Sequence, residues 1–416
     1  MFDPQRKVRE LIGVEALTRL DRVGPVEVLV GIPALNQGRS LSQTLIQVCL
    51  GARRLSSAHK TLVLVVDAGS QDDTPMTIQA WLEAAPSGPA VEAIRLPGSP
   101  QRGRAILAIL SAANHLGAEA CGLADADLIS LTPEGLGALI GPILGGKADF
   151  VMPAYTRTVS EGTLTTNLLA PLARALFGKR IQQLVGGCAG VGKGQIERLL
   201  SEDPPSADAS GQAVETWLSI GTLAAGGRIA EAHLGRKVLA PPLAQPDLAT
   251  TLARVVGPTF DLMDRYASVW AEVRGSDPVP ALGEPAGVLP ETGELHVDRM
   301  VRAFKLGLKD LLPIWEQIMP DETLETLYPL EIAPGEEFAF PSRLWARVVY
   351  DFAVAHHERR LARDHLLRAL TPLYLGRVAA FLREAQAGPL SLLPALWEEI
   401  GQAFEVEAIT LRGRWR

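Results

Sequence analysis

From Val26 to Tyr155, short apolar runs alternate with longer segments whose apolar residues recur at helical spacing. "VEVLVGIP" (Val26–Pro33) is continuously apolar, as suits a strand buried on both faces. A helix is expected from about Leu41 to Arg54. "TLVLVVDAGS" repeats the strand pattern and ends in a turn, with "DDTPMTIQAWLEA" as its helix. "AVEAIRL" is a third strand, "RGRAILAILSAANHLG" a third helix, and "CGLADADL" and "ADFVMPAY" are a fourth and a fifth strand. This alternation predicts a parallel α/β sheet whose strands carry polar residues at their carboxyl ends, where such sheets bind ligands. No internal repeat interrupts it.

The pattern changes at "VLAPPLAQPDLA" (Val238–Ala249), a Pro-rich stretch that reads as a linker. Beyond it the chain looks helical throughout. "RLWARVVYDFAVAHH" places Leu344, Val348, Phe352 and Ala355 on one face, and Val301, Phe304 and Leu308 form another apolar stripe. Two domains are therefore expected, 1–245 α/β and 246–416 all-helical, the second serving packing and a homo-oligomer interface. His356, His357 and His365 read as surface or helix-end residues.

Composition narrows the function. Apolar residues make up 47% of the 416 and charged residues 21%, ordinary for a globular protein. A net charge of -7 without a Lys/Arg block argues against a nucleic-acid partner. Cys49, Cys121 and Cys188 lack metal-type spacing and suit a reducing compartment. No signal-peptide core opens the chain, and no run approaches the roughly 18 apolar residues that cross a bilayer. A soluble, cytoplasmic protein is expected.

Five stretches could carry chemistry. Asp125-Ala126-Asp127 closes the fourth strand; in an extended chain both carboxylates would face one side, and two hard oxygen ligands suit Mg²⁺ or Mn²⁺ carrying a diphosphate. "IPALNQ" and "VVDAGSQDDT" follow the first two strands. They are either ordinary helix-capping turns or the walls of a base and ribose pocket in which Asp67 accepts from the base. "SPQRGRAIL" places Arg102 or Arg104 at a helix start, where a guanidinium can fork onto phosphate. "GGCAGVGKG" fits G-x-x-x-x-G-K through Gly187, Gly192 and Lys193, but Gly194 stands where a phosphate loop needs Ser or Thr. Lys193 then reads as solvated at a helix start.

Taken in this order, "PALNQ", "DAGSQDDT", "RGRA" and "LADADL" resemble the motifs of the GT-A glycosyltransferases, a Rossmann-like fold with a mostly parallel sheet. "YTRTVSEGTLTTNLLAPLARALFG", "LVGGCAG", "AVETWLSIGTLAAGG" and "LGRKV" are similar to the branch of retaining enzymes that make glucosylglycerate and mannosylglycerate or their 3-phosphoglycerate counterparts. The resemblance spans roughly Val26 to Leu239, and "LTPLYLGRVAAFL" extends it to the helical region.

The resemblance implies a nucleotide-sugar pocket of Pro33, Ala34, Leu35, Gln37, Asp67 and Arg102, with Asp125 on the ribose and Asp127 holding the metal. Arg157 and Thr165 would clamp an acceptor carboxylate, Gly186 and Gly187 would lie against sugar and acceptor, and Glu215 would contact the transferred sugar. With Asp127, Glu215 is the expected catalytic residue. Gln37 stands where a Glu is usual, and Cys188 also replaces a Glu. Leu239 replaces the usual metal-ligating His, which implies a weakened Mg²⁺ or Mn²⁺ site; His233, the nearest histidine, reads as a core or edge residue. Gly162-Thr163-Leu164-Thr165 lacks the Arg of the phosphoglycerate enzymes, so an unphosphorylated acceptor is favoured unless Lys179 or Arg180 compensates. The expected activity is retaining transfer of glucose or mannose from a nucleoside-diphosphate sugar such as GDP-glucose to D-glycerate or a similar hydroxy acid, making a compatible solute. The alternatives are an inverting family-2-type transferase and a catalytically decayed sugar-nucleotide-binding protein.

Overall fold

The computed structural model describes residues 11–84, 88–202, 210–241, 247–284, 287–291 and 294–415. The chain divides into two compact units. The first takes in Met1–Thr156, Val185–Leu243 and Val279–Ala286; the second takes in Arg157–Leu184, Ala244–Pro278 and Gly287–Arg416. The chain thus crosses between units several times, instead of once at 245/246. Of the expected linker, residues 242–246 lie outside the described residues. Asp247 caps the helix that follows by accepting from Thr250 N at 2.9 Å.

The first unit is a sheet between helices. Its strands are β1 (Val28–Ala34), β2 (Thr61–Asp67), β3 (Ala90–Arg95), β4 (Ala120–Ala124), β5 (Phe150–Thr158), β6 (Cys188–Gly192), β7 (Ile229–Arg236) and β8 (Ala281–Leu282). They lie in the order β8-β7-β5-β6-β4-β1-β2-β3. The last two residues of β5 belong to the second unit. Every residue of β1, β2 and β4 is buried, as continuous apolar runs require in a two-face-covered sheet. Pairings β1–β2, β2–β3, β1–β4, β5–β7 and β7–β8 are parallel.

Strand β6 departs from the expectation. The glycine-rich "CAGVG" is neither a turn nor a phosphate loop but a buried strand, antiparallel to both β4 and β5. Its small residues admit the neighbouring helix Pro133–Leu144: a Cβ on Gly190 would lie 2.1 Å from Leu139 O. Because β6 runs against its neighbours, Gly186 and Gly187 enter it at the edge where β4 ends, with Ala124 paired to Cys188. Lys193 starts the next helix and pairs with Glu119 at 3.0 Å.

The second unit is helical. Its longer helices are Leu248–Arg265, Val297–Ile318, Ser342–His357, Arg363–Gln386 and Leu393–Arg414. Leu344, Val348, Phe352, Ala355, Val301, Phe304 and Leu308 are all buried, as their spacing predicts. Segment Arg157–Leu184 belongs here because its polar groups are satisfied here. Asn167 O accepts from Trp345 Nε1 at 2.5 Å, and Asn167 Oδ1 accepts from the fully buried Arg377. Arg174 reaches Glu398 at 2.7 Å and Glu405 at 2.9 Å. His356 and His357 end a helix beside Asp261 and Asp264, while His365 is exposed. No described helix is long and apolar enough to cross a membrane.

Candidate active site

The carboxyl edge of the first unit's sheet gathers three turns. Those after β1 and β2 are joined. Asn36 N donates to Ser70 Oγ at 2.9 Å, Gln37 N to Thr74 Oγ1 at 2.8 Å and Gly38 N to Asp72 Oδ2 at 3.1 Å. In return, Gln71 N donates to Asn36 Oδ1 at 2.8 Å. Asn36 adopts a left-handed φ of 57°, which Asn tolerates better than most residues. Burial raises the Asp72 carboxyl, but hydrogen bonds from Thr74 and Gly38 outweigh it and hold the group below the usual range. The polar side chains of these residues thus bind backbone groups of each other's turns and fix the two turns together.

Pro33 and Ala34 are the buried last residues of β1, and Leu35 and Gln37 are half-buried beyond it. Asp67 ends β2, and its Oδ1 accepts from Gly69 N at 3.1 Å and Ser70 N at 2.7 Å. Its Oδ2 is buried without a hydrogen bond, 3.6 Å from the Arg95 guanidinium.

The third turn holds Asp125 and Asp127. Strand β4 stops at Ala124, so the two acids lie in a turn beyond it and not on an extended chain. The turn is closed by Leu128 N donating to Asp125 O at 3.1 Å and anchored by Thr44 Oγ1 donating to Ala126 O at 3.0 Å. Arg102 Nη2 lies 2.6 Å from Asp125 Oδ1, and Arg102 Nη1 lies 2.8 Å from Glu215 Oε1. Glu215 Oε2 accepts from Gly187 N at 3.1 Å, and Asp125 N donates to Gly187 O at 2.8 Å. Gly187 has φ +81°, and a Cβ there would lie 2.9 Å from Asp125 Oδ2, so glycine is required twice over.

Two residues complete this cluster that sequence reasoning did not single out. Tyr155 Oη and Lys237 Nζ each donate to Gly186 O at 3.0 Å, and Lys237 stands over the Tyr155 ring, 5.2 Å from its centroid. The only sequence trace of Lys237 is its place in "LGRKV". Burial pushes the Asp125 carboxyl up to about 7 against the pull of Arg102, and it raises Asp127 against Arg102 and Lys237. Burial likewise pushes the Cys188 thiol up to about 12, which leaves it un-ionised beside Tyr155.

With its carboxylates ionised, the cluster sets Asp125, Asp127 and Glu215 against Arg102 and Lys237, one negative charge in excess. Asp127 Oδ1 is buried without a partner. Among the described residues no three His, Cys, Asp or Glu side chains form a metal cage. Leu239, which is 46% exposed, forms a β-bridge with Leu128 and offers no ligand. The donor set fits a hard divalent cation that takes one carboxylate oxygen from Asp127 and the rest of its shell from substrate and water.

Gly186, Gly187, Arg102, Asp125, Asp127 and Glu215 thus come together in the first unit. Arg157 and Thr165 belong to the second. There Arg157 crosses the Gly162 turn, where a Cβ would lie 1.9 Å from its Nη1, and Thr165 is buried at the start of a π-helical turn. Lys179 lies 3.5 Å from Asp277, and Arg180 Nε donates to Ser276 Oγ at 3.1 Å, so both have local partners.

No protein-family profile matches the sequence, and no curated protein matches it at a significant level. Among solved structures, glucosyl-3-phosphoglycerate synthase from Mycobacterium tuberculosis aligns at 22% identity and TM-score 0.44, over 61% of this chain and 84% of that one. Mannosyl-3-phosphoglycerate synthase from Rubrobacter xylanophilus aligns at 21% and 0.45, over 61% and 79%. A mannosyltransferase from Pyrobaculum calidifontis, solved with GDP-Man and Mn²⁺, aligns at 16% and 0.37, over 99% and 95%.

Proposed function

We propose that this chain is a GT-A glycosyltransferase that moves a hexose, glucose or mannose, from a nucleoside-diphosphate sugar to D-glycerate or a similar small hydroxy acid, with retention at the anomeric carbon. The observation that carries this reading is the cluster at the sheet edge. Arg102 and Lys237 stand beside two acids, one with a buried oxygen that accepts no hydrogen bond, next to the joined turns in which Asp67 Oδ2 also accepts none.

The roles follow from the chemistry. Pro33–Leu35, Gln37 and Asp67 hold the base, whose N–H groups suit the Asp67 oxygen that accepts no hydrogen bond. Asp125 meets the ribose. Mg²⁺ or Mn²⁺, held by Asp127, supplies charge neutralisation at the diphosphate when bound. Breaking the sugar C1–O bond places positive charge on the ring and negative charge on the departing diphosphate; Arg102 stabilises the second. Glu215 keeps the Gly187 turn against the sugar. An acceptor carboxylate calls for a guanidinium fork and a hydroxyl, the chemistry that the resemblance assigns to Arg157 and Thr165. Gly162-Thr163-Leu164-Thr165 carries no Arg for a phosphate, which supports an unphosphorylated acceptor.

A donor-by-acceptor panel on purified protein tests this, with GDP- and UDP-glucose, GDP-mannose, D-glycerate and 3-phosphoglycerate, with and without chelator. Transfer to D-glycerate in preference to 3-phosphoglycerate, stimulated by Mg²⁺ or Mn²⁺ and giving the retained anomer by NMR, is the expected outcome. The inverted anomer would replace it with an inverting mechanism. Nucleotide-sugar binding without transfer to any acceptor would make the protein a decayed, binding-only relative.

A further inference from the structure

Helix Gly211–Ala224 opens with Gly211 and presents Glu215 one turn later on the same face. Arg102 lies across that face. A Cβ on Gly211 would meet Arg102 Nη1 at 2.1 Å, Cζ at 3.1 Å and Cδ at 3.2 Å, and these are its three nearest heavy atoms. The guanidinium and its stem therefore rest flat on the glycine. Glu215 takes Nη1 at 2.8 Å, and Asp125 takes Nη2 at 2.6 Å. Arg102 Nε remains buried without an acceptor. Both Glu215 oxygens are occupied by protein donors, Arg102 and Gly187 N.

From this geometry we infer that Gly211 and Glu215 are positioning residues, which together seat Arg102 so that its uncommitted Nε–H meets a diphosphate oxygen. The inference deepens the reading above and rests on it. Glu215 acts here through Arg102 and the Gly187 turn, and Gly211 acts only by lacking a side chain. A glycine at a helix start with no left-handed φ is ordinarily replaceable, and alanine there favours the helix. The cost of a methyl group at 211 falls on the far end of a flexible side chain, so Gly211→Ala should displace Arg102 and act on folding only through the pairs that Arg102 makes.

The experiment compares wild type, Gly211→Ala, Arg102→Lys and the double variant. Each is measured for thermal melting, UDP and GDP affinity by calorimetry, and the arginine Nε–H resonance that Arg102→Lys removes from the ¹⁵N spectrum. Gly211→Ala is expected to shift the Arg102 resonance and to lower the melting temperature only while arginine occupies 102, because the displaced guanidinium loosens its buried pairs with Asp125 and Glu215. It should weaken nucleoside-diphosphate binding at least tenfold, and that loss should not add to the loss from Arg102→Lys. Unchanged affinity, an unmoved resonance, or additive losses would each overturn the inference. So would a lowered melting temperature that persists with Lys at 102, since that would mark Gly211 as structural. Wild-type protein that binds neither UDP nor GDP would instead count against the functional reading itself, while the resonance would still report whether Gly211 seats Arg102.

Discussion

Arg102 Nη2 stands 2.6 Å from Asp125 Oδ1, with the two side chains only 16% and 15% exposed. A pair this buried is asymmetric in its failure. Arg102→Met leaves Asp125, Asp127 and Glu215 with Lys237 as their remaining counter-charge, and breaking such a pair costs about 3–5 kcal/mol. Asp125→Asn leaves Arg102 still paired to Glu215 and should cost less, about 1–3 kcal/mol. Urea denaturation of both variants, side by side, checks the order.

Asp127 behaves oppositely. Its Oδ1 has no partner and burial already disfavours its charge. Asp127→Asn should therefore leave stability unchanged or raise it, while lowering transfer at least 100-fold and abolishing the response to added Mg²⁺ or Mn²⁺. A melt and a metal titration of the rate, made on one preparation, separate the two effects.

The carbonyl of Gly186 has two donors, Tyr155 Oη and Lys237 Nζ. Removing either leaves the other, so Tyr155→Phe should cost about 1 kcal/mol, and Lys237→Met more, since it also takes a counter-charge from Asp125 and Asp127. The double variant strands a buried carbonyl, and its cost should exceed the sum of the two singles. A double-mutant cycle in urea measures the excess.

In the second unit, hydrogen bonds from Arg174 hold the Glu398 carboxyl down at about 2, from an ordinary 4.5. A carboxyl with a depressed folded-state pKa stabilises the protein above its unfolded pKa, and that contribution is lost as pH falls through the folded value. Glu398→Gln should therefore flatten the part of the stability–pH curve between about 4.5 and 2 and leave its shape near neutrality unchanged. Denaturation midpoints across that range give the answer.

The strands of the first unit were legible because parallel strands covered on both faces must be apolar throughout, and β1, β2 and β4 are. Strand β6 was not, since "CAGVG" lacks the bulk that marks a strand; its Gly190 answers to Leu139 O, a contact set by a helix some fifty residues earlier. The site was legible where a motif sits on one turn, as with Asp125 and Asp127. It was opaque where a role depends on long-range pairing. Lys237 and Tyr155 share a carbonyl only after β5, β6 and β7 assemble. The helical segment 157–184 reads as part of the α/β half until Arg377, Trp345 and Arg174 show where its polar groups are satisfied.

The four hydrogen bonds joining the turns after β1 and β2 also bear on how this pocket can be altered. Neither turn is a free-standing module, because Ser70 Oγ accepts from Asn36 N and Asn36 Oδ1 accepts from Gln71 N. A graft of residues 33–38 from another protein, without residues 67–74, would orphan Gln71 N and Ser70 Oγ. On the function proposed above, base preference is best exchanged as a two-piece cassette, and drift in one turn has to be matched by compensation in the other.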